Sequence, residues 1–240
     1  MPLKFGAATS DRVDCGKAAT LNNLLTLTYV AWVYPTTLAN ARILGKGQGP
    51  HTQSVMDMSN SNGVLRYVRG AATTDSNCTS ANFTFVLNRW QFVAATYDSG
   101  ATPNIRLYWG SLLVPVAEVT YASQVNRVGT PFDDSANALD IGNVPDSAIS
   151  SWKGSIAYAH VIGSVLALPS LRAIQTRSRN PFDAALGQWA NTRGLWRPGR
   201  NGTGKVWDES GNSNHGTITG ATPASDPSLP GLGIPRRSAA

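Results

Sequence analysis

The sequence predicts an all-β protein, a sandwich of antiparallel sheets. Three observations predict it. Short apolar stretches alternate at period two, as in Leu27–Val33 and Trp90–Tyr97. Glycine, asparagine and proline close these stretches with turn chemistry. One segment only, Leu168–Arg179, has helical spacing, and short strands with one short helix argue for a sandwich.

In chain order, Leu3–Gly16 offers Phe5 and Val13 as strand positions around a polar turn at Thr9-Ser10-Asp11. Leu25–Pro35 is a clearer strand, with Leu27, Tyr29, Ala31 and Val33 set against Thr28, Val30, Trp32 and Tyr34. Arg42–Gly47 is a short strand closed by glycine. Thr52–Met58 and Gly63–Arg69 form a hairpin around Asn60-Ser61-Asn62-Gly63. Thr73–Ser80 is polar and reads as a loop, and Phe83–Leu87 leads on to Asn88–Asp98.

In Asn88–Asp98, Trp90, Phe92, Ala94 and Thr96 alternate with Gln91, Val93, Ala95 and Tyr97, so bulky groups go to both faces of an interior strand. Asp98-Ser99-Gly100 turns the chain into Ile105, Leu107 and Trp109, which makes an antiparallel hairpin. Leu112–Val119 continues the meander and Tyr121–Asn137 is a long polar connection. Ala138–Gly142 and Gly154–Gly163 are strands, Pro169 suits the first turn of the helix, and Thr217–Thr219 is a short final strand. Ala221–Ala240 has four prolines, two glycines and no periodicity, the composition of a tail.

The 240 residues suffice for one large β domain, and nothing requires a second. A chain this long needs no staple, so Cys15 and Cys78 are expected to be buried and reduced. The opening MPLKFGAATS lacks the apolar run of a signal peptide, and no apolar run is long enough to span a bilayer, so synthesis in a cytoplasm is expected. Net charge is +6, yet charged residues make up only 14% of the chain. So sparse a charge suits a protein covered by neighbours, or a secreted β domain. Arginine outnumbers lysine fifteen to five, which fits an interface or, equally, a GC-rich genome.

Six stretches taken together resemble the laminin-G-like, concanavalin A-like lectin/glucanase superfamily. They are LTYVAWVYP (Leu27–Pro35), ILGKG (Ile43–Gly47), NRWQFVAATYD (Asn88–Asp98), IRLYWG (Ile105–Gly110), LDIGN (Leu139–Asn143) and WKGSIAYAHVIGSVL (Trp152–Leu166). The resemblance implies a jelly roll of two antiparallel sheets over residues 1–220, with its core at about 25–180. VWDESGNSNHGTITGA (Val206–Ala221) resembles a piece that in many members precedes the first strand, so 194–220 is expected to pack back near the N-terminal edge, leaving 221–240 as the tail. The superfamily includes glycan binders, adhesins, some glycosidases and structural domains of bacteriophage particles, and fold alone does not choose among them.

The chemistry narrows the choice. Glycoside hydrolysis needs two carboxyl groups, about 5–5.5 Å apart for retention or about 6.5–9.5 Å for inversion. The two glutamates, Glu118 and Glu209, are far apart in sequence, and Asp133-Asp134 diverges within a loop, so no enzyme is expected. His51, His160 and His215 are isolated and no G-x-S-x-G elbow occurs. His160 falls in step with Ile156, Tyr158 and Ile162, which reads as a sheet histidine satisfied by a neighbour.

Cofactors are not expected. Asp208, Ser210, Asn212 and Asn214 present oxygens at alternate positions like a calcium loop, but position twelve is Thr219, and Asx and Ser turns explain the same residues. Trp152, Trp189, Trp196 and Trp207 are rim candidates for a glycan. Arg172–Lys205 holds seven basic residues and one acid, with no nucleic-acid module, so a protein partner fits it better than nucleic acid.

The expectation is a non-enzymatic structural protein of a bacteriophage particle, made in the host cytoplasm and displayed on the capsid exterior as a decoration or cement protein. Its partners would be viral coat subunits and copies of itself. Contacts would come from Arg172, Arg177, Arg179, Arg193, Arg197 and Arg200, and from Leu232, Ile234, Arg236 and Arg237 in the tail. The alternative is a carbohydrate-binding lectin domain for cell-surface or phage tail-fibre adhesion.

Overall fold

The computed structural model describes residues 2–224 apart from 7, 9, 48–50, 60–62, 82–84, 144–150, 180–184, 186, 188 and 200–203. The first strands are β1 (Leu3–Phe5), β2 (Arg12–Asp14), β3 (Thr26–Pro35), β4 (Ala41–Lys46), β5 (Ser54–Ser59) and β6 (Val64–Arg69). Next come β7 (Ser76–Ser80), β8 (Gln91–Asp98), β9 (Ile105–Ser111), β10 (Ala117–Glu118), β11 (Tyr121–Val125) and β12 (Leu139–Ile141). The chain continues through β13 (Gly154–Ile162), helix α1 (Leu168–Arg177), β14 (Thr192–Trp196), β15 (Lys205–Val206), β16 (Gly216–Thr219) and β17 (Thr222–Pro223).

These strands make a jelly roll of two antiparallel sheets. Sheet A has the order β10-β9-β8-β3-β13-β1-β17, with β14 beside the second half of β13. Sheet B has the order β11-β7-β6-β5-β4-β12-β2-β16-β15. The late segment closes both sheets at the N-terminal edge: β16 pairs with β2 and β17 with β1. Thr222 and Pro223, within the stretch read as a tail, are thus part of sheet A.

Sheet A is apolar on both faces. Leu27, Tyr29, Ala31 and Val33 of β3 and Val93, Ala95 and Tyr97 of β8 face sheet B, where they meet Leu44, Met56, Leu65 and Ile141. Val30, Trp32 and Tyr34, with Phe92 and Ala94, face the other way. There Leu171 and Ile174 of α1 cover them, so the outer face has a core of its own. The alternation in Asn88–Asp98 is realised as an interior strand, with β8 between β3 and β9.

A bulge in β13 between Ile156 and Tyr158 corrects one sequence expectation. The extra residue turns the pleat over, so Ile156 joins the inter-sheet core while Tyr158 and Ile162 lie beneath the helix. Two loops of the sequence reading are also strands. Ser76–Ser80 pairs with β6, and Tyr121–Val125 pairs with β7 at the edge of sheet B. Their inward positions hold Ser76, Cys78 and Ser80, small residues that leave no apolar alternation to read. Conversely, Leu112–Val116 is a turn, and the meander resumes only as the short β10. The tip of the β5–β6 hairpin, at 60–62, lies outside the described residues. Cys15 and Cys78 are buried and unbridged, and burial pushes both thiols up, that of Cys78 to about 12.

Between the sheets lies a buried charge cluster. Asp134 accepts from Lys46 Nζ at 2.9 Å and from the Arg69 guanidinium, and all three side chains are buried. Lys46 also donates to Leu21 O at 3.2 Å and to Asn22 Oδ1, while the Asn23 N–H donates to Asp134 at 2.9 Å. Burial alone would push the Asp134 carboxyl up; the Arg69 charge and these hydrogen bonds outweigh it and hold it below the ordinary value. Removing one partner from such a cluster leaves uncompensated buried charge. Asp134→Asn is therefore expected to cost about 3–5 kcal/mol in urea unfolding. Phe92→Ala, which opens a cavity beneath the helix against Trp32, is expected to cost a similar ~3–5 kcal/mol.

Candidate functional site

A concavity lies where β8 begins and β9 ends, toward one edge of sheet A. It is an open cleft of about 570 Å³ lined by Tyr34, Val86, Asn88–Gln91, Trp109 and Ser111–Val114. Its floor carries three aromatic residues, of which Trp109 is half-buried while Tyr34 and Trp90 are buried, 8% and 3% exposed. Tyr34 and Trp90 pack with centroids 5.4 Å apart, and the half-buried Trp109 rests its other side on the inter-sheet core.

Gln91 fixes the near wall. Its Oε1 accepts from Trp109 Nε1 at 3.2 Å and from the Val86 N–H at 3.3 Å, and its Nε2 donates to Val86 O at 2.9 Å. Asn88 turns the wall with φ of 58°, a left-handed conformation that asparagine tolerates, and its N–H donates to Pro35 O at 2.8 Å. Asn88 and Arg89 stand exposed on the rim.

The far wall is the Ser111–Val116 turn, which α1 holds in place. Gln175 Nε2 donates to Ser111 O and Val114 O, each at 2.9 Å, and its Oε1 accepts from the Val116 N–H at 2.8 Å. Gly110 is required for this approach, since a Cβ there would lie 2.6 Å from Gln175 Nε2 and 2.9 Å from Val116 Cα. At the crest of the turn Leu113 is 91% exposed, and Val86, Leu87 and Val114 add further exposed apolar surface. Apolar residues crowded at one rim are uncommon on a free surface and point to a ligand or partner.

The residues singled out in the sequence are dispersed by comparison. Arg172 is exposed on α1, and Arg177, Arg179 and Arg193 are half-buried. Arg197 is not a surface contact: it is buried and paired with Glu209, because Gly194–Trp196 carries it into the core beside β13. Arg200, Leu232, Ile234, Arg236 and Arg237 lie outside the described residues. The two glutamates are at separate places, Glu118 with Arg106 and Tyr121 and Glu209 with Arg197.

Asp208 is occupied by protein donors. Its Oδ1 accepts from Leu195 N and Ser210 N, and its Oδ2 from Ser210 Oγ and Asn214 N, all within 2.7–2.9 Å. Asn212 and Asn214 in turn donate to backbone carbonyls of Thr192 and Arg193. This is the geometry of linked Asx and Ser turns. Among the described residues, no group of three or more His, Cys, Asp or Glu side chains is gathered to hold a metal. Of the rim tryptophans, Trp152 and Trp196 are fully buried and Trp189 packs near the helix. Trp207 is 45% exposed beside His215 and Lys205, at the opposite end of the molecule from the cleft.

The sequence does not show the cleft because its floor comes from residues far apart in the chain, Tyr34 of β3, Trp90 just before β8 and Trp109 of β9. One signal was available: three apolar residues in a row, Leu112-Leu113-Val114, directly after a Gly-Ser turn.

Comparison with known proteins follows from this fold. A family model described as the concanavalin A-like lectin/glucanases superfamily matches residues 7–169. The chain belongs to this superfamily. A candidate carbohydrate-binding protein from Bacteroides ovatus superposes with a TM-score of 0.64 at 16% identity, covering 92% of this chain and 58% of that one. This chain therefore spans less than two thirds of that structure. Domain 4 of an extracellular arabinanase from Geobacillus stearothermophilus, in complex with arabinotriose, gives a TM-score of 0.47 at 14% identity, over 65% of this chain and 68% of that one. A heptameric pentraxin from Limulus polyphemus gives 0.45 at 13% identity, over 72% and 75%. No curated protein matches in sequence.

His160 lies on the sheet face opposite the inter-sheet core and is buried between Tyr158 OH at 2.7 Å and Thr192 Oγ1 at 3.0 Å. Burial, helped by the Arg197 charge, pulls its imidazole from 6.5 down to about 3. The unfolded chain takes up this proton below about pH 6.5 and the folded chain does not, so stability is lost as the pH drops below about 6.5 toward 3. Between pH 7 and pH 5 the loss through His160 is expected to be about 2 kcal/mol. Urea unfolding at both values measures it, and His160→Gln should flatten that part of the profile.

Proposed function

We propose that this domain is a non-catalytic carbohydrate-binding module whose ligand lies in the cleft over Tyr34, Trp90 and Trp109. The observation that carries this reading is the cleft's make-up: aromatic residues in its floor, of which half-buried Trp109 is the accessible one and suits the apolar face of a sugar, with Asn88, Arg89 and Ser111 at the rim to bond hydroxyl groups. The Bacteroides ovatus relative supports it only through shared fold. The non-catalytic part rests on the glutamates, each engaged by an arginine at its own place.

A second reading is a structural protein of a bacteriophage particle, carried on the capsid exterior and binding coat subunits through the basic segment 172–205 and residues 221–240. What favours it is the exposed apolar rim of Val86, Leu87, Leu113 and Val114 on a protein so poor in charge. Copurification with particles, reduced by Leu113→Asp, would support it.

A glycan array tests the first reading. The intact chain is expected to bind a defined set of oligosaccharides. Trp109→Ala and the surface change Arg89→Ala should each weaken binding roughly tenfold, while Trp207→Ala retains it. Silence of the intact chain across the array would sink the carbohydrate reading.

A further inference from the structure

We propose that the ligand is an acidic glycan, bearing carboxylate groups along the chain; this deepens the carbohydrate-binding reading and rests on it. A second hollow, of about 180 Å³, adjoins the cleft on the other side of the Ser111–Val114 turn. Its lining adds Pro115, Arg172, Gln175, Thr176 and Arg179. Every charged residue lining the two hollows is an arginine: Arg89 in the cleft, Arg172 and Arg179 in its neighbour. Among the described residues, none of those lining the hollows is acidic, nor is any residue of α1. The nearest acid along the chain from the turn, Glu118, is taken up by Arg106 at 3.0 Å and by the Tyr121 hydroxyl at 2.6 Å.

Two hollows that share the Ser111–Val114 turn suit a chain rather than one sugar. Arg172 lies in α1 and Arg179 two residues beyond its end, and both line the hollow together with Thr176. Arg172 stays exposed while its Nε donates to Val116 O at 3.2 Å, which anchors it on the rim of the hollow. A guanidinium presents a planar fork that matches a carboxylate in a way a hydroxyl does not. The cleft would take the sugar rings of an acidic chain against Trp109 while Arg89, Arg172 and Arg179 take its carboxylates across the Leu113 crest.

Calorimetry on the full chain with an oligogalacturonate and an uncharged galactan oligosaccharide of equal length tests this. The acidic chain is expected to bind roughly tenfold tighter at about 0.05 M salt, and the advantage should largely vanish at about 0.5 M, where exposed charges are screened. Arg172→Gln combined with Arg179→Gln should bring the acidic affinity toward the neutral one. Arg172→Lys with Arg179→Lys should restore only part of it.

Equal affinity for the two oligosaccharides, or an acidic affinity indifferent to the arginine changes, overturns the proposal and leaves the carbohydrate reading standing. Displacement by polyglutamate at equal charge concentration also overturns it, because the site would then be a general cationic surface. If neither oligosaccharide nor any array glycan binds, the carbohydrate reading itself falls.

Discussion

Sheet A has apolar side chains on both faces, and each face must be covered. Sheet B covers one, with the tyrosines of β3, β6 and β8 meeting between the layers. Helix α1 covers the other through Leu171 and Ile174, tied down by the Trp32 indole donating to Ser178 Oγ at 2.8 Å. From this second cover comes the position of the Ser111–Val116 turn, because Gln175 reaches that turn from the helix. The cleft is thus a consequence of the packing beneath α1, although its floor belongs to the sheet.

Polar groups inside the sandwich follow the same economy of pairing. Asp134 gathers Lys46, Arg69 and the Asn23 N–H into one connected set. On the outer face of sheet B, Arg66 makes a two-pronged contact with Asp57, at 3.0 and 2.7 Å, across neighbouring strands. Asp208 and Asn214 join β14 to the loop before β16 and so tie the late segment to the body. Buried pairs of this kind add little net stability over apolar packing, but they penalise any register in which a partner is missing.

How much was legible depended on whether a strand's burial leaves a mark in its residues. In β3, β8 and β13 large apolar groups fill both faces, and the pattern gives their existence, limits and interior rank. Strands β7 and β11 escaped notice, since serines and a cysteine serve as the inward residues of the first and the second is an edge strand exposed along nearly its whole length. The bulge in β13 was equally hidden, because an extra residue leaves no trace in composition. Among the candidate contacts, Arg197 read as surface cation in a basic run, and only the pairing of β14 with β13 takes it inside to Glu209.

The sequence by itself determined the class of fold, the two-sided burial of its central strands and the presence of one short helix, because period and turn chemistry are properties of neighbouring residues. Tertiary structure alone decided the cleft. Tyr34, Trp90, Trp109 and Gln175 come from four segments spread over more than half the chain, and their meeting depends on strand order and on where the helix settles. Local pattern says which side of a strand is covered; it does not say which residues of distant strands share the uncovered rim.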